Sequence, residues 1–226
     1  MASGSNYDEL PGSGSFGELR SFGLTHFQYT DGDRLGMVLA LASLFPIFMI
    51  VMEVTIILSR REVAGLLLLA GQLANEAFNL LLKQVIREDR PHLHLGDGYG
   101  MPSSHAQFMG FFAMYSILYL ELRITTNWWH KRVVQVGAMA LGALVAASRV
   151  YLGYHSVPQV LAGAAVGLAA GFAWYLAVEY ILYPSGLVKM LLDTAVSRWL
   201  LLRDSRGVPD IVLAEYHLSQ NNKKLK

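Results

Sequence analysis

Five runs of apolar residues, each long enough to cross a bilayer as a helix, limit what this chain can fold into. They fall at about 35–58, 63–82, 105–122, 133–150 and 157–183, and a hydrocarbon core of about 30 Å takes about 20 helical residues. In lipid every backbone N–H and C=O must be satisfied inside the protein, so runs of this kind form helices. Composition points the same way, because 54% of the residues are apolar and only 15% charged, against about 25% charged in a water-soluble domain. The sequence predicts an all-α polytopic membrane protein with about five transmembrane helices in a bundle. It excludes a disordered chain, a secreted disulfide scaffold and an ordinary cytosolic enzyme. The absence of cysteine removes disulfides, thiolate metal sites and cysteine nucleophiles. A net charge of +1 argues against a nucleic-acid partner, which would need a cationic surplus.

The flanks differ from the bundle. Residues 1–34 are polar and rich in Gly and Ser, with Pro11, and are expected to form a flexible arm. No signal-peptide pattern opens the chain, so the first span is expected to serve as the targeting signal. That span contains Pro46 and Glu53 and should be kinked or packed inward. The fifth carries Gly163, Gly167 and Gly171, a spacing that lets another helix approach closely. Stretch 187–202 holds Lys189, Asp193 and Arg198; burying them would cost roughly 2.5–3.5 kcal/mol each. An amphipathic helix in the membrane interface, with Trp199 at headgroup depth, is expected instead. In a five-span topology, twelve Lys/Arg fall on the side of the 59–62 and 123–132 loops and the tail, and six on the other. The positive-inside rule then puts the C-terminal tail in the cytosol and the 83–104 loop across the membrane. Trp128 and Trp129 in the 123–132 loop fit an interfacial aromatic belt.

The chemistry concentrates on that second side. Gln72, Asn75, Glu76, Asn79 and Lys83 share one helix face. For Gln72 and Asn75 a hydrogen-bond seam and a functional role are equally open. Lys83-x6-Arg90-Pro91 follows, then Pro102-Ser103-Ser104-His105 at the start of the third span, then Ser148-Arg149-x5-His155 between the fourth and fifth. Three cations with two histidines can transfer a phosphoryl group, because that chemistry is mostly positioning and charge stabilisation. Arg90 and Arg149 can each grip two phosphoryl oxygens, and Lys83 adds a point charge. Ser104-x-x-Gln107 and Ser156-x-x-Gln159 both fit capping boxes, which would start a helix near each histidine and favour a bound phosphate there.

These three elements resemble the signature of the type 2 phosphatidic acid phosphatase superfamily, which includes lipid phosphatases and vanadium haloperoxidases. The surrounding residues resemble its dolichyl diphosphatase branch: Asn75-Glu76 with Asn79 and Lys83, then Tyr99-Gly100-Met101-Pro102-Ser103-Ser104-His105-x-Gln107-Phe108-Met109, and Ser148-Arg149-Val150-Tyr151-Leu152-x-Tyr154-His155. The similarity extends over about residues 24–217. The resemblance implies that the bundle has that superfamily's core, with 35–183 as a transmembrane catalytic domain and 184–226 as an interfacial helix and basic cytosolic tail. It implies that His155 attacks the terminal phosphorus and that His105 protonates the leaving lipid phosphate and then activates water. Lys83, Arg90, Arg149 and Ser103, with a backbone N–H near Ser104, would hold the phosphoryl oxygens. The implied substrate is a polyprenyl (dolichyl) diphosphate in the bilayer, and the implied role is recycling the lipid carrier of protein N-glycosylation. No metal or other cofactor, nucleic acid or obligate protein partner is implied; His92-x-His94 with Asp97 is expected to rim the pocket.

Two positions depart from the superfamily pattern. Ser104 stands where much of the superfamily has Gly. Gln159 stands where an Asp would orient His155 and stabilise its cation, as the dolichyl diphosphatase branch also has it. A comparable Asp→Asn change in serine proteases costs about 10⁴ in rate. Gln159 is therefore assigned to the catalytic set, with simple closure of the capping box an equal alternative. Glu88, Asp89 and Asp97 lie in the right loop to supply the missing charge. Lys223-Lys224-Leu225-Lys226 resembles a dilysine retrieval signal, with an ordinary solvated basic terminus the alternative; it supports the expectation of an endoplasmic reticulum membrane protein with its site facing the lumen. Two other readings stay open: a phosphatase for phosphatidate, a sphingoid phosphate or another polyprenyl diphosphate, and a catalytically silent lipid-phosphate binder.

Overall fold

A computed structural model describes residues 29, 32–92, 98–208 and 210–224. The polar arm up to residue 28, His94, Asp97 and the last two residues of the tail lie outside these. The described residues form α1 (Arg34–Ala42), α2 (Phe45–Arg60), α3 (Val63–Ile86), α4 (Ser104–Arg123), α5 (Trp128–Tyr151) and α6 (Val157–Ala177). A π-helical turn at Val178–Leu182 extends α6, and α7 (Leu187–Leu192), α8 (Ala195–Trp199) and α9 (Ile211–Lys224) follow. No strand occurs among the described residues.

The first predicted span is broken in two. A turn at Ser43 and Leu44 separates α1 from α2, and Pro46 occupies the first turn of α2, where its missing N–H is harmless. The inward face of α2 is the stripe Pro46, Met49, Glu53 and Ile57, spaced by three and four residues as one helix face requires. Glu53 therefore turns away from lipid, beside Gln72 of α3. Among the described residues, four segments are long and apolar enough to cross a membrane: Arg34–Arg60, Val63–Ile86, Trp128–Tyr151 and Val157–Leu182. The remaining predicted span is α4, which forms but is less apolar, with Ser104, His105, Gln107, Glu121 and Arg123 in its sequence. The reason is its position: α4 packs against α3, α5 and α6, so protein covers most of its length.

Two boundaries differ from expectation. Trp128 and Trp129 are not in a loop; Asn127 caps α5 and both tryptophans form its exposed first turn. Stretch 187–202 is not one amphipathic helix. It breaks at Asp193 and Thr194, where the Thr194 hydroxyl accepts from Ser197 N and starts α8 afresh.

The tightest contact in the bundle is between α4 and α6. A Cβ on Gly163 would lie 2.5 Å from the Ser103 carbonyl oxygen, one on Gly167 2.1 Å from that of Gln107, and one on Gly171 2.6 Å from that of Phe111. The three glycines thus serve helix packing, backbone against backbone.

At one end of the bundle the α2–α3 turn, the end of α4, the π turn and the tail converge. Val63 N donates to the Arg203 carbonyl (3.0 Å) and Arg203 N to that of Arg61 (2.9 Å). Ser205 Oγ donates to Glu62 (2.6 Å), Arg60 pairs with Glu215 (2.8 Å), and buried Glu179 takes both Arg123 and Arg206. At the other end lie the C-termini of α3 and α5 and the N-termini of α4 and α6.

Gly167→Ala should destabilise the protein by about 1–3 kcal/mol, the usual cost of overpacking. Gly137, where a Cβ would meet nothing within 4 Å, is the control: its Ala variant should stay within about 1 kcal/mol of wild type. Denaturant unfolding of both in detergent micelles checks this.

Candidate active site

A buried amide network joins α3 to α4. Asn79 Nδ2 donates to Gln107 Oε1 (2.8 Å) and to the Pro102 carbonyl (3.3 Å). Gln107 Nε2 donates in turn to Asn75 Oδ1 (2.9 Å) and to its carbonyl (3.0 Å). The polar stripe on α3 is thus, at Asn75 and Asn79, a hydrogen-bond seam that fixes the segment leading into α4. The predicted capping box at Ser104 is absent for the same reason. Gln107 is turned into the seam, Ser104 is already the first helical residue, and Ser103 occupies the cap position without a side-chain cap bond.

Ser103 is pinned from two sides. Its N–H donates to the Gln159 carbonyl (3.1 Å) and its carbonyl accepts from Gln107 N (3.0 Å). Its hydroxyl is buried and has no hydrogen-bond partner among the described residues, and the same holds for Arg149 Nε. Buried polar groups are nearly always satisfied, so these two atoms mark a place where something polar is wanted.

Arg149 lies in the last turn of α5. The chain then reverses through Gly153 at φ 75°, a left-handed conformation suited to glycine. His155 N donates to the Arg149 carbonyl (3.1 Å), and the Tyr154 ring lies 3.9 Å from the Arg149 guanidinium carbon, a cation–π contact that holds the arginine. Ser156 caps α6 with a complete capping box: its hydroxyl accepts from Gln159 N (3.4 Å) and Gln159 Oε1 accepts from Ser156 N (3.2 Å).

Gln159 does more than close that box. Its Nε2 donates one hydrogen to Glu88 Oε1 and the other to the Asp89 carbonyl, both at 2.8 Å. Its Oε1 is 3.2 Å from His155 Nδ1. With both amide hydrogens committed, only the oxygen is left to face the imidazole. Nδ1 must then carry the proton, and the lone pair sits on Nε2. Gly100 makes room for this, since a Cβ there would lie 2.8 Å from both amide atoms of Gln159.

His155 is 3% exposed, and its ring is held well below the ordinary imidazole range, at about 3. Burial is the largest cause, followed by Arg149, then Arg90 and, more weakly, Lys83; the Gln159 hydrogen bond opposes them. The imidazole is therefore neutral at pH 7. His105 is hydrogen-bonded to the Ser43 main chain and lies within electrostatic reach of Arg149, His155 and Lys83. Lys83, Arg90 and Arg149 are close enough to repel one another, with Glu76 near Lys83 giving partial relief. The structure thus gathers His155, Gln159, His105, Lys83, Arg90, Ser103 and Arg149 at one end of the bundle, with Ser104 opening α4 beside them. Such a cradle suits an anion with several oxygens, and a neutral imidazole with its lone pair on Nε2 has the electronic state that nucleophilic attack requires.

Sequence reasoning missed how these residues are held. Nothing in the spacing indicated that Tyr154 stacks on Arg149, that Ser43 holds His105, or that Gly100 shelters an amide. The expectation that His92, His94 and Asp97 rim the pocket falls on two residues, His94 and Asp97, that lie outside the described ones.

Residues 64–183 match the model of the PAP2 superfamily. The chain is 41% identical over 210 residues to Dolichyldiphosphatase 1 of Homo sapiens, covering 87% of each chain. It is 35% identical over 207 residues to Lipid phosphate phosphatase gamma of Arabidopsis thaliana, covering 88% of this chain and 90% of that one. A solved PAP2-type phosphatidylglycerolphosphate phosphatase from Bacillus subtilis superposes with a TM-score of 0.57 at 27% identity, over 65% of this chain and 78% of the other. The chain belongs to the PAP2 superfamily. It is a hydrolase of the phosphatase kind, built as a multi-pass membrane protein that acts on a lipid. The matched stretch runs from α3 to the end of the π turn and contains every gathered side chain named above.

The neutral His155 has a thermodynamic signature. Below pH 6.5 the unfolded chain takes up a proton that the folded chain refuses until about pH 3. The unfolded state then binds more protons, so stability falls as pH drops through that window, by roughly 2 kcal/mol between pH 6.5 and pH 5. A His155→Asn variant should lack this component. Unfolding free energies of both proteins in detergent at pH 7.5 and pH 5 measure it as the difference between their two slopes.

Proposed function

We propose that this phosphatase converts dolichyl diphosphate to dolichyl phosphate and inorganic phosphate through a phosphohistidine on His155. The observation that carries the reading is the state of His155: neutral, buried, with Nδ1 tied to Gln159 and Nε2 unencumbered among three cations. Lys83, Arg90 and Arg149, with the Ser103 hydroxyl and the N–H groups at the start of α4 near Ser104, grip the terminal phosphoryl oxygens. The orphaned Ser103 Oγ and Arg149 Nε then acquire partners.

In the first step the Nε2 lone pair forms a bond to the terminal phosphorus. The bridging P–O bond breaks, and its electron pair leaves on dolichyl phosphate, which takes a proton from His105, an imidazolium once the bound diphosphate's negative charge offsets the surrounding cations. In the second step His105 accepts a proton from water as the oxygen attacks the phosphohistidine. The N–P bond breaks, its pair returns to Nε2, and inorganic phosphate departs. Acid–base help of this kind contributes about 10²–10⁴-fold.

The choice of a dolichyl lipid is supported by the name of the human relative and by the motif context around Lys83, His105 and His155. The domain assignment follows: 35–183 catalyses, while the arm and the 184–226 segment lie outside the chemistry. The greater number of Lys/Arg on the tail side supports a cytosolic C-terminus and a luminal site in the endoplasmic reticulum.

Phosphate release by the purified protein in detergent, with chelator present, tests this reading. Dolichyl diphosphate, dolichyl phosphate and phosphatidate are compared, with His155→Ala alongside. The expected result is chelator-resistant release from the diphosphate and a loss of at least about 10⁴-fold in the variant. Preference for phosphatidate would overturn the substrate assignment, and an active His155→Ala would overturn the mechanism.

A further inference from the structure

We propose that Glu88 is a positioning residue that acts on His155 through Gln159, supplying the negative charge that the neutral amide lacks. The proposal rests on the reading of His155 as nucleophile and goes beyond it. Its basis is a chain of contacts with fixed polarity. His155 Nδ1 meets Gln159 Oε1 at 3.2 Å, and Gln159 Nε2 donates to Glu88 Oε1 at 2.8 Å.

Three features hold that chain in register. The Asp89 carbonyl takes the second amide hydrogen (2.8 Å), so the amide is not free to turn over. The Glu88 backbone is anchored by Gly100 N, which donates to the Glu88 carbonyl (2.7 Å). Gly100 itself has no Cβ, and any Cβ there would intrude on the amide at 2.8 Å. Glu88 therefore presents a carboxylate, Asp89 a carbonyl, and Gly100 leaves the gap that Gln159 fills.

The chemical consequence concerns the intermediate. When Nε2 bonds to phosphorus, the imidazole ring gains positive charge, and its Nδ1–H becomes a stronger donor to Gln159 Oε1. An amide whose N–H groups donate to a carboxylate has a more negative oxygen, since hydrogen bonds in a chain polarise one another. Glu88 thereby stabilises the cationic ring two hydrogen bonds away. Asp89 fixes the amide's orientation whether or not Glu88 is charged, so the particular contribution of Glu88 is its charge.

The test moves that charge. Glu88→Gln keeps an acceptor for Gln159 but removes the charge, and should lower kcat about tenfold to a hundredfold, the usual range for a partner that orients a functional group, with KM little changed. Gln159→Glu alone should also be impaired, because it sets a carboxylate against Glu88 Oε1 and the Asp89 carbonyl. In the double variant Glu88→Gln/Gln159→Glu the charge sits directly beside His155, and the amide introduced at 88 donates to the carboxylate introduced at 159, while the Asp89 carbonyl still opposes it. Its kcat should stay below wild type but exceed that of the poorer single variant by about tenfold, a coupling that two independent defects cannot produce.

Melting temperature and monodispersity in detergent are recorded for every variant, so that kcat is compared among folded proteins. Wild-type kcat in Glu88→Gln, or a double variant no better than the poorer single, would overturn the role of Glu88. His155→Ala in the same assay separates this from the underlying reading. If that variant remains active, the nucleophile assignment falls; if it is inert while Glu88→Gln is unaffected, only the role of Glu88 falls.

Discussion

The approach of α6 to the backbone of α4 is the constraint on which the rest depends. Gly163, Gly167 and Gly171 let the two helices touch main chain to main chain, and their N-termini are thereby brought side by side. Ser103 N can then reach the Gln159 carbonyl, which ties the segment before α4 to the first turn of α6. Two helix N-termini side by side give a concentration of free N–H groups and positive dipole ends. The proposed phosphate site depends on that packing. A larger residue on the α6 stripe would separate not only two helices but the two halves of that site.

Holding cations inside such a bundle is costly, and the surroundings show how the cost is offset. Arg149 rests on the Tyr154 ring and Lys83 lies near Glu76, while the amides of Asn75, Asn79 and Gln107 are joined by hydrogen bonds and bring no net charge. At the opposite end of the bundle the arrangement is reversed: Glu179 meets Arg123 and Arg206, and Glu215 meets Arg60 and Arg203. Ser103 Oγ and Arg149 Nε, both buried without a hydrogen-bond partner among the described residues, lie at the end of the bundle where Lys83, Arg149 and His155 meet.

The sequence made the helices and the identity of the gathered residues legible, because both depend on patterns that a chain shows locally. A run of apolar residues spans a membrane wherever it occurs, and Lys83, Arg90, His105, Arg149 and His155 stand at spacings that no ordinary span would carry. What stayed hidden depends on contacts distant in sequence. Gln107 has the same spacing from Ser104 as Gln159 from Ser156, yet only the second makes a capping box, because Asn75 and Asn79 claim the first. Capping propensity is local, and two asparagines about 30 residues upstream override it. Glu88 was indistinguishable from Asp89 and Asp97 in sequence, since all three share one loop. A 2.8 Å bond to Gln159 separates Glu88 from Asp89, whose main-chain carbonyl is what meets the amide.

A Gln between His155 and a carboxylate also makes physical sense for the proposed substrate. A carboxylate touching the imidazole would stabilise its cation most strongly, but it would lie near the phosphoryl group as well. Two unit charges at 4 Å and an effective dielectric of 20 interact with about 4 kcal/mol, and at 8 Å with about 2 kcal/mol. A diphosphate brings more negative charge into the site than a monoester does, so this repulsion grows with the substrate's own charge. Setting the carboxylate one side chain back, with a polarisable amide between, halves the repulsion while keeping the tautomer fixed. The amide loses some stabilisation of the ring cation, while burial, with the three cations beside it, already keeps the ring neutral before attack. On this view the position where the chain departs from the superfamily pattern is matched to the charge of the phosphate it receives.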